Sequence, residues 1–280
     1  MDNFLDLMPA DVKQRLEESG SLYVETADFC PKHPRQPIVR FNDGSLRCLA
    51  CFNEDRGNIE SDRRLKNFGD YRKLDRKGYL ERYSIVSNEK LFKKGTRNYI
   101  GRTQREKEVK HLAVELTKEL VAGGIFNVYM HGNPGCGKSH LSMGMLQNVN
   151  HLSENGMKCL FVNFPTLQQK IRASFNSNDQ TYSETNMIQR MMAADLLVLD
   201  DIGSEINPTT KKGMVSDFSA RILYAVMDAR SEAKPTIITS NISWQELEKM
   251  IDSRVYSRMA YNLKLVPFDA ITDKRLTGGK

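Results

Sequence analysis

The alternation of apolar runs with helical stretches is the clearest pattern in the chain, and it begins near residue 103. "TQREKEVKHLAVELTKELVAGG" repeats apolar positions at helical spacing and stops at Gly123 and Gly124. Short apolar runs follow at Phe126–Met130, Cys159–Phe164, Leu196–Leu199, Thr236–Thr239 and Leu263–Val266, each bounded by turn residues and separated by helical stretches. Strands that read as unbroken apolar runs are covered on both faces. This rhythm therefore predicts an α/β fold with a five-stranded parallel sheet and crossover helices.

The chain is organised differently before residue 103. Residues 1–20 predict a short helix. Residues 29–52 hold a Cys/His cluster. Residues 53–107 are polar, basic and broken by glycines. The expected division is a small N-terminal domain over 1–55, a basic linker over 56–102 and a nucleotide-binding domain over 103–280.

A hydrophobic content of 40% with 27% charged residues is ordinary for a folded globular protein. The N-terminus, "MDNFLDLMPADV", carries acids where a secretory signal carries bases, and the stretch 120–130 is too short to span a bilayer, so a cytoplasmic location is expected. Sixteen basic and seven acidic residues lie between Arg56 and Lys107, an excess of nine cations in a chain of net charge +6. That points to a polyanionic partner, although a solvated basic linker would show the same excess. Five scattered cysteines do not make a disulfide framework.

In "FCPKHPRQPIVRFNDGSLRCLACF", Cys30 and His33 are separated by two residues, as are Cys48 and Cys51. Two such pairs supply four tetrahedral ligands for Zn²⁺ and leave no position open for chemistry, so the site is expected to be structural. Between the pairs a hairpin is expected: strands at Ile38–Phe41 and Ser45–Cys48, with Asp43-Gly44 as the turn. A module this small needs its metal to fold.

"VYMHGNPGCGKSHL" contains Gly132-Asn133-Pro134-Gly135-Cys136-Gly137-Lys138-Ser139, followed by His140, with an apolar strand before it and a helix after it. This is the pattern that cradles nucleotide phosphates: glycines let backbone N–H groups turn inward, Lys138 meets the β and γ phosphates, and Ser139 ligates Mg²⁺. "ADLLVLDDIGSE" is a strand ending in Asp200, suited to hold the metal, and Asp201, suited to polarise water. "KPTIITSNIS" ends in Asn241, suited to orient that water. Ser243 and Glu246 form the expected capping box of the next helix, which leaves Asn241 for phosphate.

In this order the motifs resemble the AAA+ ATPases. "GNPGCGKSHL", "DLLVLDDIG", "TIITSN" and "SRVYSRM" resemble the DnaC/DnaI-type replicative helicase loaders and their IstB transposition relatives. The resemblance covers about 103–270. The Cys/His module resembles the N-terminal region of the DnaI-type loaders more loosely.

The resemblance implies an ATPase, weak alone and stimulated by partner or DNA, that loads a hexameric replicative helicase onto single-stranded DNA. It also implies ATP and Mg²⁺ as ligands and a homo-oligomeric or helicase-templated ring. In such a ring Arg258 acts as a finger on the neighbouring subunit's nucleotide, with Arg254 in support. A solvated helix face would also explain two arginines four apart. Asp201 stands where most AAA+ proteins carry Glu, so slow hydrolysis is expected. "VPFDAITDKRLTGGK" leaves little or no room for a C-terminal lid, and the sequence does not decide whether Arg275 acts as sensor 2.

Candidate contacts to single-stranded DNA are Lys170, Arg172 and Phe175, with Tyr182, and Lys211 and Lys212. The alternatives are an IstB-like transposition helper, a zinc adaptor in which ATP is only structural, and, with least support, a small-molecule kinase.

Overall fold

The structure is a computed structural model. It describes residues 24–40, 44–52, 54–55, 69–70, 73–175, 179–204 and 216–275. The expected helix within 1–20 and the candidates Lys211 and Lys212 lie outside these residues. The chain forms two compact units, Met1–Tyr71 and Arg72–Lys280.

In the first unit, strands β1 (Val24–Phe29), β2 (Pro37–Arg40) and β3 (Leu46–Cys48) pair antiparallel in that order. Ile38 lies opposite Cys48 in the hairpin. Gly44 has a φ of +79°, the left-handed conformation that such a turn asks of glycine; Asp43 lies outside the described residues. The strand β1 was not expected from the sequence.

The second unit is built on a parallel sheet of β4 (Asn127–His131), β5 (Cys159–Asn163), β6 (Leu196–Ile202), β7 (Thr236–Ser240) and β8 (Lys264–Pro267), in the order β5-β6-β7-β4-β8. All five correspond to the expected apolar runs. Both faces are covered. Leu196 and Val198 join Met130 and Val128 in one buried cluster, with residues of α2 (Gln104–Val121) and α3 (Lys138–Leu152). Leu197 and Leu199 join the opposite cluster, with residues of α4 (Phe164–Ser174), α5 (Glu184–Ala193), α6 (Asp217–Arg230), α7 (Trp244–Met250) and α8 (Ser253–Met259). The register sets Asn163 beside Asp200, and His131 beside Ser240, so the polar strand ends form one edge.

The stretch read as linker is, from Arg72 onward, part of this second unit. It holds α1 (Tyr79–Tyr83) and two 3₁₀ turns, and it buries Tyr79, Leu80, Ile85, Thr96 and Tyr99. Ile85 extends the sheet by a parallel bridge to Val162. Gly144 on α3 is required here, because a Cβ would press on the Thr96 backbone.

At the opposite edge of the sheet the guanidinium of Arg230 is 1% exposed. It donates to the carbonyls of Met191, Ala194 and Pro235 and to Thr236 Oγ1. Arg230 thereby closes the ends of α5 and α6 against β7. Removing it strands buried acceptors, at a cost of about 3 kcal/mol. Arg230→Ala is expected to lower the thermal midpoint by roughly 6–12 °C, followed by fluorescence of Trp244, the chain's single tryptophan. An unchanged midpoint refutes this clamp.

Candidate functional site

Two clusters carry chemistry, one in each unit. In the first, the loop from Cys30 to Gln36 is closed by backbone bonds from His33 N–H to the Cys30 carbonyl (3.1 Å) and from Gln36 N–H to the His33 carbonyl (2.8 Å). This turns Cys30 and His33 to one point. Cys48 ends β3, and Cys51 lies on the helical turn after it.

The four side chains converge. The Cys30 and Cys51 sulfurs are 3.7 Å apart. His33 Nδ1 is 3.8 Å from Cys30 Sγ, 3.7 Å from Cys48 Sγ and 3.3 Å from Cys51 Sγ. Corners of a tetrahedron with Zn–S and Zn–N bonds of ordinary length lie about 3.5–3.8 Å apart, so the donor set fits that ion. The other ring nitrogen, His33 Nε2, meets Glu54 Oε1 at 3.1 Å, and Lys32 Nζ holds Glu54 Oε2 at 2.7 Å. A carboxylate behind a ligating imidazole fixes which nitrogen faces the metal. Sequence spacing did not single out Glu54.

In the second unit the loop after β4 opens onto α3. Gly132, Gly135 and Gly137 adopt φ values of +145°, +76° and +102°. Residues with side chains rarely take these values, and here they turn the loop around an open centre. A cavity of about 550 Å³ lies over it, lined by Pro134, Gly135, Gly137, Lys138, Ser139 and His140 from the loop and helix. The same wall includes Asn163, Asp200, Asp201, Thr239 and Asn241 from the strand ends.

Lys138 Nζ donates to the carbonyls of Gly132 (2.7 Å) and Asn133 (2.9 Å) and to Asn241 Oδ1 (2.8 Å), and lies 3.7 Å from Cys136 Sγ. Burial pulls the Lys138 ammonium below the usual lysine range, while Cys136, Asp201 and Asp200 pull it back up. Burial raises the Cys136 thiol, which suits a packing role. His140 bonds the Gly95 carbonyl at 3.1 Å, and burial lowers its pKa, so it favours the neutral ring.

Asp200 is 2% exposed. Its Oδ1 accepts from Thr239 Oγ1 at 2.7 Å and its Oδ2 from Asn163 Nδ2 at 3.1 Å. Asp201 has a φ of +65°, and the β6–β7 register shifts between Leu199 and Ile202. Its N–H donates to Thr239 Oγ1 (2.9 Å), and its Oδ1 accepts from Asn241 Nδ2 (3.2 Å). An ammonium, a hydroxyl and two carboxylates facing one cavity can bind a polyphosphate with a divalent cation. Asn163 and Thr239 were missed, although Asn163 ends an apolar run much as Asp200 and Asn241 do.

The C-terminal stretch returns to the phosphate loop. The Phe268 N–H bonds the His131 carbonyl at 2.7 Å, and the Lys274 N–H bonds the Gly135 carbonyl at 3.1 Å. Side chains at Gly132 and Gly135 would collide with Phe268 and Asp273. Lys274 Nζ lies 3.6 Å from the centre of the Tyr99 ring and 3.1 Å from Glu106 Oε1. Lys274 and Arg275 both line the cavity.

Arg254 and Arg258 are not brought to this cavity. Arg258 pairs with Asp228 at 2.8 Å, and Arg254 with Asp252 at 3.0 Å while lying over the Tyr224 ring. The Asn127 side chain, at the start of β4, bonds the Arg258 and Met259 carbonyls. The end of α8 therefore sits at the sheet edge opposite the phosphate loop, roughly 13 Å of strand away.

The DNA candidates join a cationic and aromatic cluster. Lys170 lies 4.3 Å from the Tyr182 ring centre, and Arg172 lies 5.2 Å from that of Phe218. Phe175, 62% exposed, sets its edge to Phe218. Arg221 covers the same ring and pairs with Glu184. Phe218 and Arg221 were not expected here.

Comparison with known proteins agrees with this geometry. The chain is 29% identical over 237 residues to the replicative helicase loader DnaC of Buchnera aphidicola subsp. Baizongia pistaciae, covering 82% of this chain and 84% of that one. It shares its fold with the crystal structure of the DnaC helicase loader (TM-score 0.52, 18% identity, 64% of this chain and 99% of that one). It also shares its fold with a putative primosome component from Streptococcus pyogenes (TM-score 0.51, 20% identity, 68% and 94%). Residues 100–260 match the IstB-like ATP binding protein family, and the chain belongs to that family.

Proposed function

We propose that this chain is an ATP-dependent loader of a hexameric replicative DNA helicase onto single-stranded DNA, acting in the cytoplasm. The observation that carries the reading is that the two arginines of the resembling motif lie away from the phosphate-binding cavity. Lys138, Asp200, Asp201 and Asn241 meet in one cavity, while Arg254 and Arg258 lie outside its lining, paired with Asp252 and Asp228. Arginines so placed act on a second copy of the chain. Similarity to a helicase loader over 82% of the chain supports the partner.

In this reading the N–H groups at the start of α3 and Lys138 hold the ATP phosphates, and Ser139 and Asp200 hold Mg²⁺, whose charge offsets that of the phosphates. Asp201 and Asn241, already bonded to each other, orient the attacking water. Asn241 also touches Lys138, so one amide links the phosphate-binding cation to the water-orienting acid. Arg258 leaves Asp228 to meet the neighbour's phosphate, and Arg254 supports it. Hydrolysis is slow until partner and DNA complete the ring. Cys30, His33, Cys48 and Cys51 hold Zn²⁺, and residues 1–55 grip the helicase. Lys170, Arg172 and Phe175 contact the single strand.

A second reading, an IstB-like transposition helper, is favoured by the family match itself. Native mass spectrometry of the chain with the host replicative helicase, with and without ATP, separates them. The loader reading expects one helicase hexamer carrying several copies of this chain. No such complex, with ATP-dependent assembly on duplex DNA alone, overturns it.

The shared site predicts complementation. Lys138→Ala and Arg258→Ala proteins are each expected to be inactive as ATPases, and their mixture to recover turnover, because some interfaces then pair an intact loop with an intact arginine. A mixture as inactive as its components rules out the finger.

The zinc reading predicts one zinc per chain by elemental analysis. Cys48→Ser is expected to lose that metal and the helicase complex while keeping nucleotide binding. Full metal content in the variant would remove Cys48 from the ligand set.

A further inference from the structure

We infer that Asn163 is a positioning residue for the magnesium carboxylate, setting how Asp200 presents itself to the metal; this rests on the reading of Asp200 given above. Asn163 ends β5 and lies directly beside Asp200 in the sheet. It is 6% exposed, yet it forms part of the cavity wall.

The backbone N–H and the Oδ1 of Asn163 are committed elsewhere. Its backbone N–H donates to the Ile85 carbonyl at 2.7 Å. Its Oδ1 accepts from the Thr166 N–H (3.3 Å) and from Thr166 Oγ1 (2.6 Å) at the start of α4. Two donors on one atom identify that atom as the oxygen, so the NH₂ group faces Asp200 Oδ2.

From the other side, Thr239 donates its hydroxyl proton to Asp200 Oδ1 while accepting the Asp201 N–H. Each carboxylate oxygen thus receives one donor from a neighbouring strand and keeps lone-pair capacity toward the cavity. The donor on Oδ2 is neutral. A lysine there would cancel the charge that draws a divalent cation, and an aspartate would accept where a donor is needed. An amide turns the carboxylate and leaves its charge intact. Partners of this kind change metal affinity without touching the metal.

Asn163 also caps α4, so the test must separate capping from positioning. Asn163→Ser keeps a good cap and loses the donor to Asp200; Asn163→Ala loses both. The full-length protein is titrated with a fluorescent ATP analogue, in EDTA and across a Mg²⁺ series. The Mg²⁺ concentration that half-saturates the enhancement of binding is read for both variants and for Asp200→Asn.

Asn163→Ser is expected to raise that concentration about tenfold, with nucleotide binding in EDTA unchanged and a thermal midpoint above that of Asn163→Ala. If Asp200→Asn raises the requirement and Asn163→Ser does not, the positioning role is overturned while the reading of Asp200 stands. A loss in Asn163→Ser that is equal with and without Mg²⁺ also overturns it, since that is what a merely structural residue would show. If Asp200→Asn leaves the requirement unchanged, the reading of Asp200 falls and this inference with it.

Discussion

A carboxylate that is 2% exposed at the tip of an apolar strand has to be surrounded by donors, and meeting that demand for Asp200 organises the whole edge of the sheet. Donors can come only from the strands on either side. Asn163 ends one and Thr239 lies near the end of the other, so β5, β6 and β7 are tied together at the level where the ligand binds. Thr239 must also receive the Asp201 N–H, which draws the chain into its left-handed turn at Asp201. That turn shifts the β6–β7 register at Asp201 and brings its carboxylate into reach of Asn241. Two adjacent aspartates in one sequence thereby come to occupy different environments. One is buried and doubly bonded; the other is turned to the cavity with Asn241.

What was legible in the sequence follows from how each signal arises. A strand buried on both faces has no polar alternation, so Leu196–Leu199 and its four companions stand out as runs. Phosphate loops need glycines at fixed places because neighbouring groups press on them, as Phe268 presses on Gly132. Paired residues at two-residue spacing mark the Cys30, His33, Cys48 and Cys51 cluster. The stretch 73–102 was not legible as part of the core. Its buried residues, Tyr79, Leu80, Ile85, Thr96 and Tyr99, follow no period, and solvent-facing lysines and arginines dominate the reading. Partners distant in sequence were equally hidden. Nothing local to Glu54, Asp228 or Asn163 announces His33, Arg258 or Asp200, because those pairings are made only when the chain folds.

The C-terminal stretch shows the same limit and supplies a physical reason for it. Here the chain after β8 turns back along the loop by main-chain bonds at His131 and Gly135, which any sequence could make. What fixes it is Lys274, whose ammonium lies over Tyr99 and against Glu106. Glu106 in turn caps α2 through the Arg102 and Thr103 N–H groups. Tyr99 in turn bonds the Cys136 carbonyl inside the phosphate loop. The segment entering the unit, the segment leaving it and the loop between them therefore share one junction.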